Sequence, residues 1–128
     1  MSGMRLVDPS TMRAPAGHYS HGVAANGFVF VSGQLPVTPD GTKLADEPFE
    51  VQARQVLANV KDVLEACGSS VGRLVQVRVY VTDIDRWALF NQVYEQWIGT
   101  HKPARAVVPV PVLHYGLAIE VEAVALAG

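Results

Sequence analysis

One arginine and two glutamates are the residues of this sequence whose types and positions could do chemistry. Arg105 stands near the start of an apolar stretch, PARAVVPVPVLHYGLAIEVEAVAL (103–126), and Glu120 and Glu122 stand near its end. Charged side chains are rarely buried unless they are paired, so these charges indicate an ion pair, a subunit interface or a binding site. A guanidinium can hold a carboxylate through two parallel hydrogen bonds, and a desolvated carboxyl can exchange a proton near neutral pH.

Other residues that bind metals or act as nucleophiles show no comparable pattern. Cys67 is the single cysteine, which excludes a Cys-rich zinc site and an internal disulfide, and we interpret it as a small buried hydrophobe. The four histidines do not have the spacing of metal ligands on a common element. We therefore expect no metal.

Composition and charge narrow the class of protein. The 128 residues suit one domain, residues 1–128, and 49% of them are hydrophobic while only 17% are charged. A net charge of −2 without blocks of like charge argues against nucleic acid or a membrane surface as a partner. The sequence shows no hydrophobic signal core and no apolar run that could span a bilayer, so we expect a cytoplasmic protein.

A hairpin and a helix are predicted in the first half of the chain. The segment VAANGFVFVSG has Asn-Gly between two β-prone runs, which predicts a hairpin at about 20–33 because both turn residues tolerate positive φ. A helix is predicted over about 48–67, with Asp46 and Pro48 as cap and first-turn residues and Gly68 at its end. Its apolar stripe consists of Val56, Leu57, Val60, Val63 and Leu64.

A strand and a second helix are predicted next. LVQVRVYV alternates with period two, so one face of the strand is expected to carry Val75, Val77, Val79 and Val81. TDID matches a capping box in which Thr82 and Asp85 satisfy free backbone N–H groups. Apolar residues at helical spacing up to Gly99 then predict a helix over about 83–98.

The last stretch is predicted to form strands, with Pro109 and Pro111 at an edge or a bend because proline cannot donate to a β-ladder. The predicted order is strand, hairpin, helix, strand, helix, strand, strand. Two helices with one apolar stripe each fit on one face of a single mixed sheet. The other face mixes Glu120 and Glu122 with aliphatic residues, which indicates contact with copies of the chain and predicts a homo-oligomer.

Sequence segments over about 17–125 are arranged as in a known family. They read, in order, GHYSHGVAANGFVFVSGQLPV, QARQVLANVKDVLEACGSSVGRLVQVRVYVTDIDRW, NQVYEQWIGTHKPAR and IEVEAVA. Together they resemble the RidA/YjgF family of enamine/imine deaminases, also called the liver perchloric-acid-soluble protein family. The resemblance implies an α+β, chorismate-mutase-like fold with a mixed, mostly antiparallel sheet of about six strands and two helices on one face. It also implies a homotrimer with active sites in the clefts between subunits.

The activity implied by the resemblance is the hydrolysis of reactive enamines and imines, such as 2-aminoacrylate, to a 2-keto acid and ammonia. The enzyme would be a hydrolase of the 2-iminobutanoate/2-iminopropanoate deaminase type, with a small imino acid or keto acid as its ligand and without a metal or organic cofactor. This chemistry needs a fixed cation for the substrate carboxylate, a group that delivers a proton or positions water, and a polar cradle for the nitrogen.

Two charged positions match the family's motifs. Arg105 lies in PAR, and the resemblance implies that it anchors the substrate carboxylate. Glu120 is the first glutamate of IEVEAVA, which implies a catalytic role in positioning or activating water. The alternative is structural, with Arg105 pairing with Glu120 or Glu122 between subunits. For Glu122 we prefer a structural role as the partner of Arg78.

Three further positions match polar or glycine positions of the family. Tyr19, in GHYS, is implied to line the cleft with a catalytic role, and the alternative is an interface aromatic. Gly33, in VSGQ, is implied to permit close approach to the substrate, and the alternative is a bulge or tight turn. Asn91 is implied to bind substrate beside the site, and the alternative is a cap or bridge to backbone groups.

The sequence departs from the family's usual pattern in three places. Val107 stands where Cys, Ser or Thr is frequent, so this implied substrate-binding position is more apolar here. His18 replaces a common proline. The loop VPVLHYG replaces a frequent basic or Pro-Gly turn, which puts His114 and Tyr115 near the predicted mouth of the cleft. These changes leave the substrate open, and a larger one such as 2-aminomuconate is an alternative.

Two other functions are alternatives to the deaminase. A non-catalytic trimer could bind metabolites or act as a chaperone. A surface that binds client proteins, however, has no need of an arginine whose guanidinium can hold one carboxylate, as Arg105 can. A ribonuclease activity has been attached to relatives, but the slightly acidic chain has no paired catalytic histidines or basic groove that would support it.

Overall fold

A mixed β-sheet forms the centre of the structure, which is a computed structural model that describes residues 3–128. The first two residues of the predicted 1–128 domain therefore lie outside the described residues. The strands are β1 (Met4–Val7), β2 (Gly22–Ala25), β3 (Phe28–Gln34), β4 (Leu74–Val81), β5 (Ala104–Pro109) and β6 (Ile119–Leu126). Their order in the sheet is β1-β2-β3-β6-β4-β5, with β4 and β5 parallel and the other neighbours antiparallel.

Two helices of the described part of the chain, α1 (Phe49–Ala66) and α2 (Trp87–Ile98), cover one face of this sheet. α1 packs on β3 and β6 and against α2. The fully buried side chains between these layers include Val56, Leu57, Val60, Val63, Leu64, Phe90, Val29, Val77, Val79, Val81, Ile119 and Val121. Each buried aliphatic side chain of this size contributes about 1.5–3 kcal/mol through removal of apolar surface from water. The predicted element order and α+β fold are confirmed.

The predicted hairpin is confirmed, with β2 and β3 joined at Asn26 and Gly27. Both turn residues have positive φ, 53° and 81°, as a tight hairpin turn requires. The turn fixes the register of β3 against β2, and β3 in turn pairs with β6. A local sequence signal therefore positions the strand that carries Gly33.

The ends of α1 differ in part from the prediction. The helix begins after Pro48, and no side chain caps it, so the assignment of Asp46 as the cap is wrong. Gly68 has φ 80° directly after the helix, which confirms its predicted role at the end. Cys67 is 2% exposed and burial raises the pKa of its thiol, in agreement with its interpretation as a small buried hydrophobe.

The start of α2 also differs from the prediction. The predicted helix over 83–98 begins with a 3₁₀ turn at Ile84–Arg86, and the α-helix itself starts at Trp87. Asp83 caps the 3₁₀ turn by accepting a hydrogen bond of 3.0 Å from the backbone N of Asp85. The predicted capping pair of Thr82 and Asp85 is therefore wrong, because the neighbouring Asp83 side chain supplies the acceptor.

Strand β4 has one irregularity that the alternating pattern did not predict. Its pairing with β6 shifts between Leu74 and Gln76. As a result Leu74 is 2% exposed while Val75, predicted to lie on the buried face, is 39% exposed. The remaining predicted positions of that face, Val77, Val79 and Val81, are buried.

The face of the sheet without helices, called the open face below, combines charge with apolar side chains. Glu120 and Glu122 lie on it, together with aromatic and aliphatic residues of β3 and β6 such as Phe28, Phe30 and Leu126. Pro109 ends β5 at the edge of the sheet, as predicted. None of the helices formed by residues 3–128 has both the length and the apolar character needed to cross a membrane.

Candidate functional site

A cleft of about 620 Å³ lies between the loop that precedes β2, the end of β3 and the start of β6. Tyr19, Gly33 and Glu120 line it, so three of the residues predicted to form a site share one cavity. His114 and Tyr115 also line this cavity, as predicted for the mouth of the cleft. It is called the Glu120 cleft below.

Glu120 is the carboxyl of this cleft with perturbed proton affinity. Burial raises its pKa, the positive charge of His114 opposes that shift, and the negative charge of Glu122 adds to it. Desolvation disfavours the ionised form, which brings a carboxyl closer to the range where it can both donate and accept a proton. Glu120 lies opposite Tyr80 in the ladder between β6 and β4, so a strand in the middle of the sheet holds its backbone.

Gly33 lies directly against Glu120. A Cβ atom at position 33 would be 3.1 Å from Cδ of Glu120 and closer still to Oε2, so a side chain there would displace the carboxyl. The pairing of β3 with β6 shifts between Val31 and Gln34, which places Gly33 in a β-bulge. The bulge interpretation of Gly33 is therefore confirmed, and the space left by the absent side chain is filled by the carboxyl of Glu120. The close approach of Gly33 to a substrate stays a prediction.

Tyr19 is held on the loop before β2 and keeps its ring accessible. The residue is 49% exposed, and its ring meets that of His21 edge to face at a centroid distance of 6.2 Å. The Nδ1 atom of His21 accepts a hydrogen bond of 3.2 Å from Nε2 of Gln34, which is 3% exposed. This assigns the proton to Nε2 of His21, which donates to the carbonyl of Arg13 at 3.0 Å. The loop is thus tied to the end of β3. His18 lies exposed on the same loop.

Arg105 occupies a different place in the chain, at the edge strand β5. Its guanidinium lies over the ring of Tyr94 at 4.9 Å from the centroid, and its Nη1 donates to Oδ1 of Asn91 at 2.9 Å. Tyr94 and Asn91 belong to α2, so the helix orients the arginine from two sides. Val107 follows two residues later on β5, half-buried and packed against the core. These four residues are called the Arg105 group below.

The Glu120 cleft and the Arg105 group lie on opposite faces of the sheet within one chain. Arg105 is paired with Val77, which is buried under the helices, whereas Glu120 is paired with Tyr80. Residues paired across a ladder point to the same face, and positions separated by an odd number of residues point to opposite faces. The chain therefore assembles each group separately and does not bring Arg105 and Glu120 together.

Glu122 has the structural partner that the sequence predicted. Nη1 of Arg78, opposite Glu122 in the ladder, lies 3.8 Å from its Oε1, and the hydroxyl of Tyr80 donates to the same oxygen at 2.5 Å. The hydrogen bond to Glu122 raises the pKa of Tyr80. Of the two carboxylates on this face, Glu122 is therefore the one that interacts with neighbouring side chains.

Sequence reasoning missed two cations of the Glu120 cleft, Arg13 and Lys43. Both lie on irregular segments, where no periodicity indicates which side chains converge. Proximity to Tyr19 was a usable signal only for Arg13, six residues earlier on the same loop. Within residues 3–128 no group of three His, Cys, Asp or Glu side chains is arranged to hold a metal ion.

Comparison with known proteins shows the family to which the chain belongs. The model of the family described as Endoribonuclease L-PSP matches residues 10–127. The chain belongs to this family, which is also known as the RidA/YjgF family. The Saccharomyces cerevisiae protein HMF1 is 46% identical over 112 residues, covering 88% of this chain and 86% of HMF1.

A family relative from Escherichia coli, TdcF, is provisionally named a reactive intermediate deaminase. It is 38% identical over 121 residues, covering 91% of this chain and 93% of TdcF. The crystal structure of Escherichia coli TdcF with bound serine superposes with a TM-score of 0.90, covering 97% of this chain and 99% of that one at 33% identity. The crystal structure of yeast Mmf1 gives a TM-score of 0.93 with 98% and 99% coverage at 37% identity. The family fold of a six-stranded mixed sheet with two helices is thereby confirmed over residues 3–128.

Proposed function

We propose that the protein is a hydrolytic deaminase that converts reactive enamines and imines, such as 2-aminoacrylate, to a 2-keto acid and ammonia. The observation that carries this proposal is the half-buried Glu120, whose pKa is raised by burial and whose carboxyl faces a cavity beside Gly33. The name of the relative TdcF describes a deaminase of reactive intermediates, which supports the same class of reaction.

Glu120 would act on water and on the substrate in turn. The protonated carboxyl of Glu120 first donates its proton to the enamine carbon, which gives an iminium ion and leaves a carboxylate. Water then adds to C2 while this carboxylate accepts one of its protons. Return of that proton to nitrogen and transfer of the remaining hydroxyl proton to Glu120 let the carbon–nitrogen bond break, so that ammonia leaves and the carbonyl forms. One water is consumed for each ammonia released, and the carboxyl ends each cycle in its starting state.

The substrate carboxylate requires a cation, which we assign to the Arg105 group of a neighbouring subunit. Arg105 is preorganised by Asn91 and the ring of Tyr94, so its planar fork is already aimed before a ligand binds. Because Glu120 and Arg105 lie on opposite faces of one chain, a complete site requires two copies. Asn91 would hold the arginine, and Val107 would form an apolar wall of the shared cleft.

The homotrimer proposed here would form through the open face. Leu6, Phe30 and Leu126 are 67%, 46% and 41% exposed in the single chain, and Leu6 is aligned with Phe30 across β2. A face with this much exposed apolar surface is typical of a subunit interface. A symmetric ring of chains would place the edge strand β5 of one copy beside the Glu120 cleft of the next.

Tyr19 would complete the site from the cleft side. Its ring is exposed in the cavity and its neighbour His21 is fixed by hydrogen bonds, so the loop presents the phenol in a defined place. The proposed role is to orient the substrate and to hydrogen-bond the attacking water or the departing nitrogen. The serine bound by TdcF is a small amino acid with an α-carboxylate, the type of ligand this arrangement would accept.

The test of this proposal is the variant Arg105→Ala. We expect it to lose acceleration of keto-acid formation from freshly generated 2-aminoacrylate by about 100-fold or more, because a charged hydrogen-bonding partner of the substrate is removed. Arg54→Ala is the matched control, since Arg54 lies on α1 in an ion pair with Glu50. Sedimentation should show the same oligomer for both variants. Unchanged turnover in Arg105→Ala would contradict the proposal.

The description of the family as an endoribonuclease suggests a second activity, which the charge of this chain disfavours. Ten Lys and Arg against twelve Asp and Glu give a net charge of −2, whereas binding to a phosphate backbone relies on an excess of cations. Ammonia release from an imino acid and salt-sensitive cleavage of RNA are separate measurements. The proposed function requires the first and does not require the second.

A further inference from the structure

Two cations in the Glu120 cleft have no role in the proposed reaction. Arg13 and Lys43 line the cleft, and neither forms an ion pair with another side chain of residues 3–128. Asp40, three residues before Lys43, is occupied by Thr38 and Thr42, whose hydrogen bonds lower its pKa. The cleft therefore carries two positive charges that have no ion-pair partner among residues 3–128.

The position of Arg13 is fixed by a network that reaches the core. Its carbonyl accepts the hydrogen bond from Nε2 of His21, and the Nδ1 of His21 accepts from the buried Gln34. The side chain of Arg13 lies against Gly41, where a Cβ would be 2.8 Å from its Cδ. Gly41 has φ 94°, a backbone conformation that favours glycine. Because glycine has no side chain, the turn also leaves space for the arginine.

Lys43 is held from the other side of the same turn. Its backbone forms a β-bridge with Val37, and the turn between them is closed by the hydrogen bond from Thr38 N to Thr42 O. The Nζ of Lys43 lies over the ring of Tyr115 at 4.6 Å from the centroid. Because its backbone is held by the bridge and its ammonium lies over an aromatic ring, Lys43 has fewer accessible conformations than a free surface lysine.

A continuous wall connects these cations to Glu120. The ring of Tyr115, below Lys43, is 5.8 Å from the ring of His114, and the charge of His114 acts on Glu120. Beyond Lys43, Gly41 of the same turn lies against the side chain of Arg13, which comes from the loop before β2. The cleft thus has the carboxyl at one end of this wall and the two cations at the other.

We propose that this second end of the cleft binds a second carboxylate, so that the preferred substrates are dicarboxylic 2-imino acids and their enamines. The inference rests on the proposed deaminase function and names its substrate class. One carboxylate would meet Arg105 of a neighbouring subunit and the other would meet Arg13 and Lys43, with C2 beside Glu120. The cleft of a single chain, about 620 Å³, leaves room beside Glu120 for a substrate longer than a three-carbon imino acid.

The experiment compares two substrates that differ only in the distal carboxylate. The imines of glutamate and of norvaline, each with a five-carbon chain, are generated in situ by an amino-acid oxidase, and keto-acid formation is followed. We expect wild-type kcat/KM to be about ten-fold higher for the glutamate imine, since two partly exposed charge contacts contribute modestly. The double variant Arg13→Gln/Lys43→Gln should lose this preference and keep its kcat/KM for the norvaline imine within about two-fold.

The matched control is Arg54→Gln/Lys61→Gln, which removes the same charge from the outer surface of α1. It should keep the wild-type preference, because the change in net charge is identical and only the location differs. Thermal denaturation should show both double variants folded, since all four side chains are exposed. Loss of the preference in the control would overturn the assignment to Arg13 and Lys43.

A binding measurement separates this inference from the proposed function. Calorimetry with 2-oxoglutarate and 2-oxopentanoate should show tighter binding of the dicarboxylate to wild type, and the Arg13/Lys43 double variant should bind the two equally. If the protein shows this binding pattern but hydrolyses neither imine, the deaminase function is rejected and the dicarboxylate site is retained. Turnover of both imines with equal kcat/KM in wild type, or a preference that survives in the double variant, would reject the dicarboxylate site alone.

Discussion

Glu120 and Glu122 are two positions apart on one face of β6, yet their surroundings differ. Glu122 accepts a hydrogen bond from Tyr80 and lies 3.8 Å from Arg78. Glu120 receives no side-chain hydrogen bond from residues 3–128, and burial raises its pKa. A satisfied carboxylate stabilises the sheet, whereas a partly desolvated one without a donor retains the capacity to move a proton.

The first prediction concerns the pH dependence of stability. Because the folded-state pKa of Glu120 is raised, the folded protein loses stability as pH rises from the unfolded-state pKa through the folded-state value, and the deficit persists above it. Glu120→Gln removes the ionisable group. Its melting temperature should therefore exceed that of wild type at about pH 8, and the difference should shrink towards about pH 4.

Thermal denaturation across this pH range measures the effect. Glu47→Gln is the control, since Glu47 is exposed in the loop before α1 and should not change the pH profile in this direction. A Glu120→Gln variant whose stability advantage grew at acid pH would show that the carboxyl is stabilised in its ionised form, contrary to the prediction.

At the scale of elements, the bulge in β3 controls access to Glu120. A regular strand would point a side chain at each position alternately to the two faces, and any side chain at position 33 would meet the Glu120 carboxyl. The bulge and the glycine together create the space in which the carboxyl sits. The shape of this site therefore depends on the irregular part of β3.

The second prediction is that Gly33→Ala reduces both stability and turnover. The added Cβ would force Glu120 or the strand to shift, with an expected loss of about 1–3 kcal/mol in the free energy of unfolding. Urea unfolding and kcat for the imine are the measurements. Gly72→Ala is the matched control, because a Cβ at position 72 meets no atom within 4 Å and no positive φ is required there. Equal stability and turnover of the two variants would contradict the role assigned to the bulge.

Elements with strong local signals were the ones that the sequence predicted correctly. Asn26-Gly27 sets its turn through its own backbone preferences, and Gly68 ends α1 in the same way. Burial of Leu74 in place of Val75 could not be read locally, since the shift arises in pairing with β6, about 50 residues later in the chain. The start of α2 was missed because adjacent acceptors compete for the same backbone N–H groups, and Asp83 prevails.

At the scale of the whole molecule, the open face and the separation of Arg105 from Glu120 lead to the same expectation. The face exposes Phe30 and Leu126, and the two charged groups lie on opposite sides of the sheet. A monomer would leave apolar surface in water and each half of the proposed site without the other. Assembly and catalysis should therefore be lost together.

The third prediction tests this link. Phe30→Glu introduces a charge at the centre of the open face and should convert the oligomer to monomers at micromolar concentration, with loss of deaminase activity. Sedimentation and keto-acid formation are measured on the same samples. Ile84→Glu is the control, since Ile84 is similarly exposed, 42% against 46% for Phe30, but lies at the start of the turn before α2. An active Phe30→Glu monomer would contradict a site shared between subunits.

The candidate site could be predicted from the sequence only in part. Motifs identified Glu120, Gly33 and Tyr19, and the structure places them in one cleft. The opposite placement of Arg105 depends on the parallel register of β5 with β4, which no local pattern specifies. Arg13 and Lys43 escaped notice because the loops that carry them converge only through tertiary contacts.

The location of β6 has a consequence for the order in which the molecule can assemble. β6 is synthesised after its neighbours β3 and β4, yet it lies between them in the sheet. Until it emerges from the ribosome, the nascent chain has two unpaired strand edges with apolar side chains beside them, a state prone to association with other chains. The Arg105 group belongs to a contiguous segment, 74–109, that is translated before this closure. The residues of the Glu120 cleft can come together only when the final strand docks.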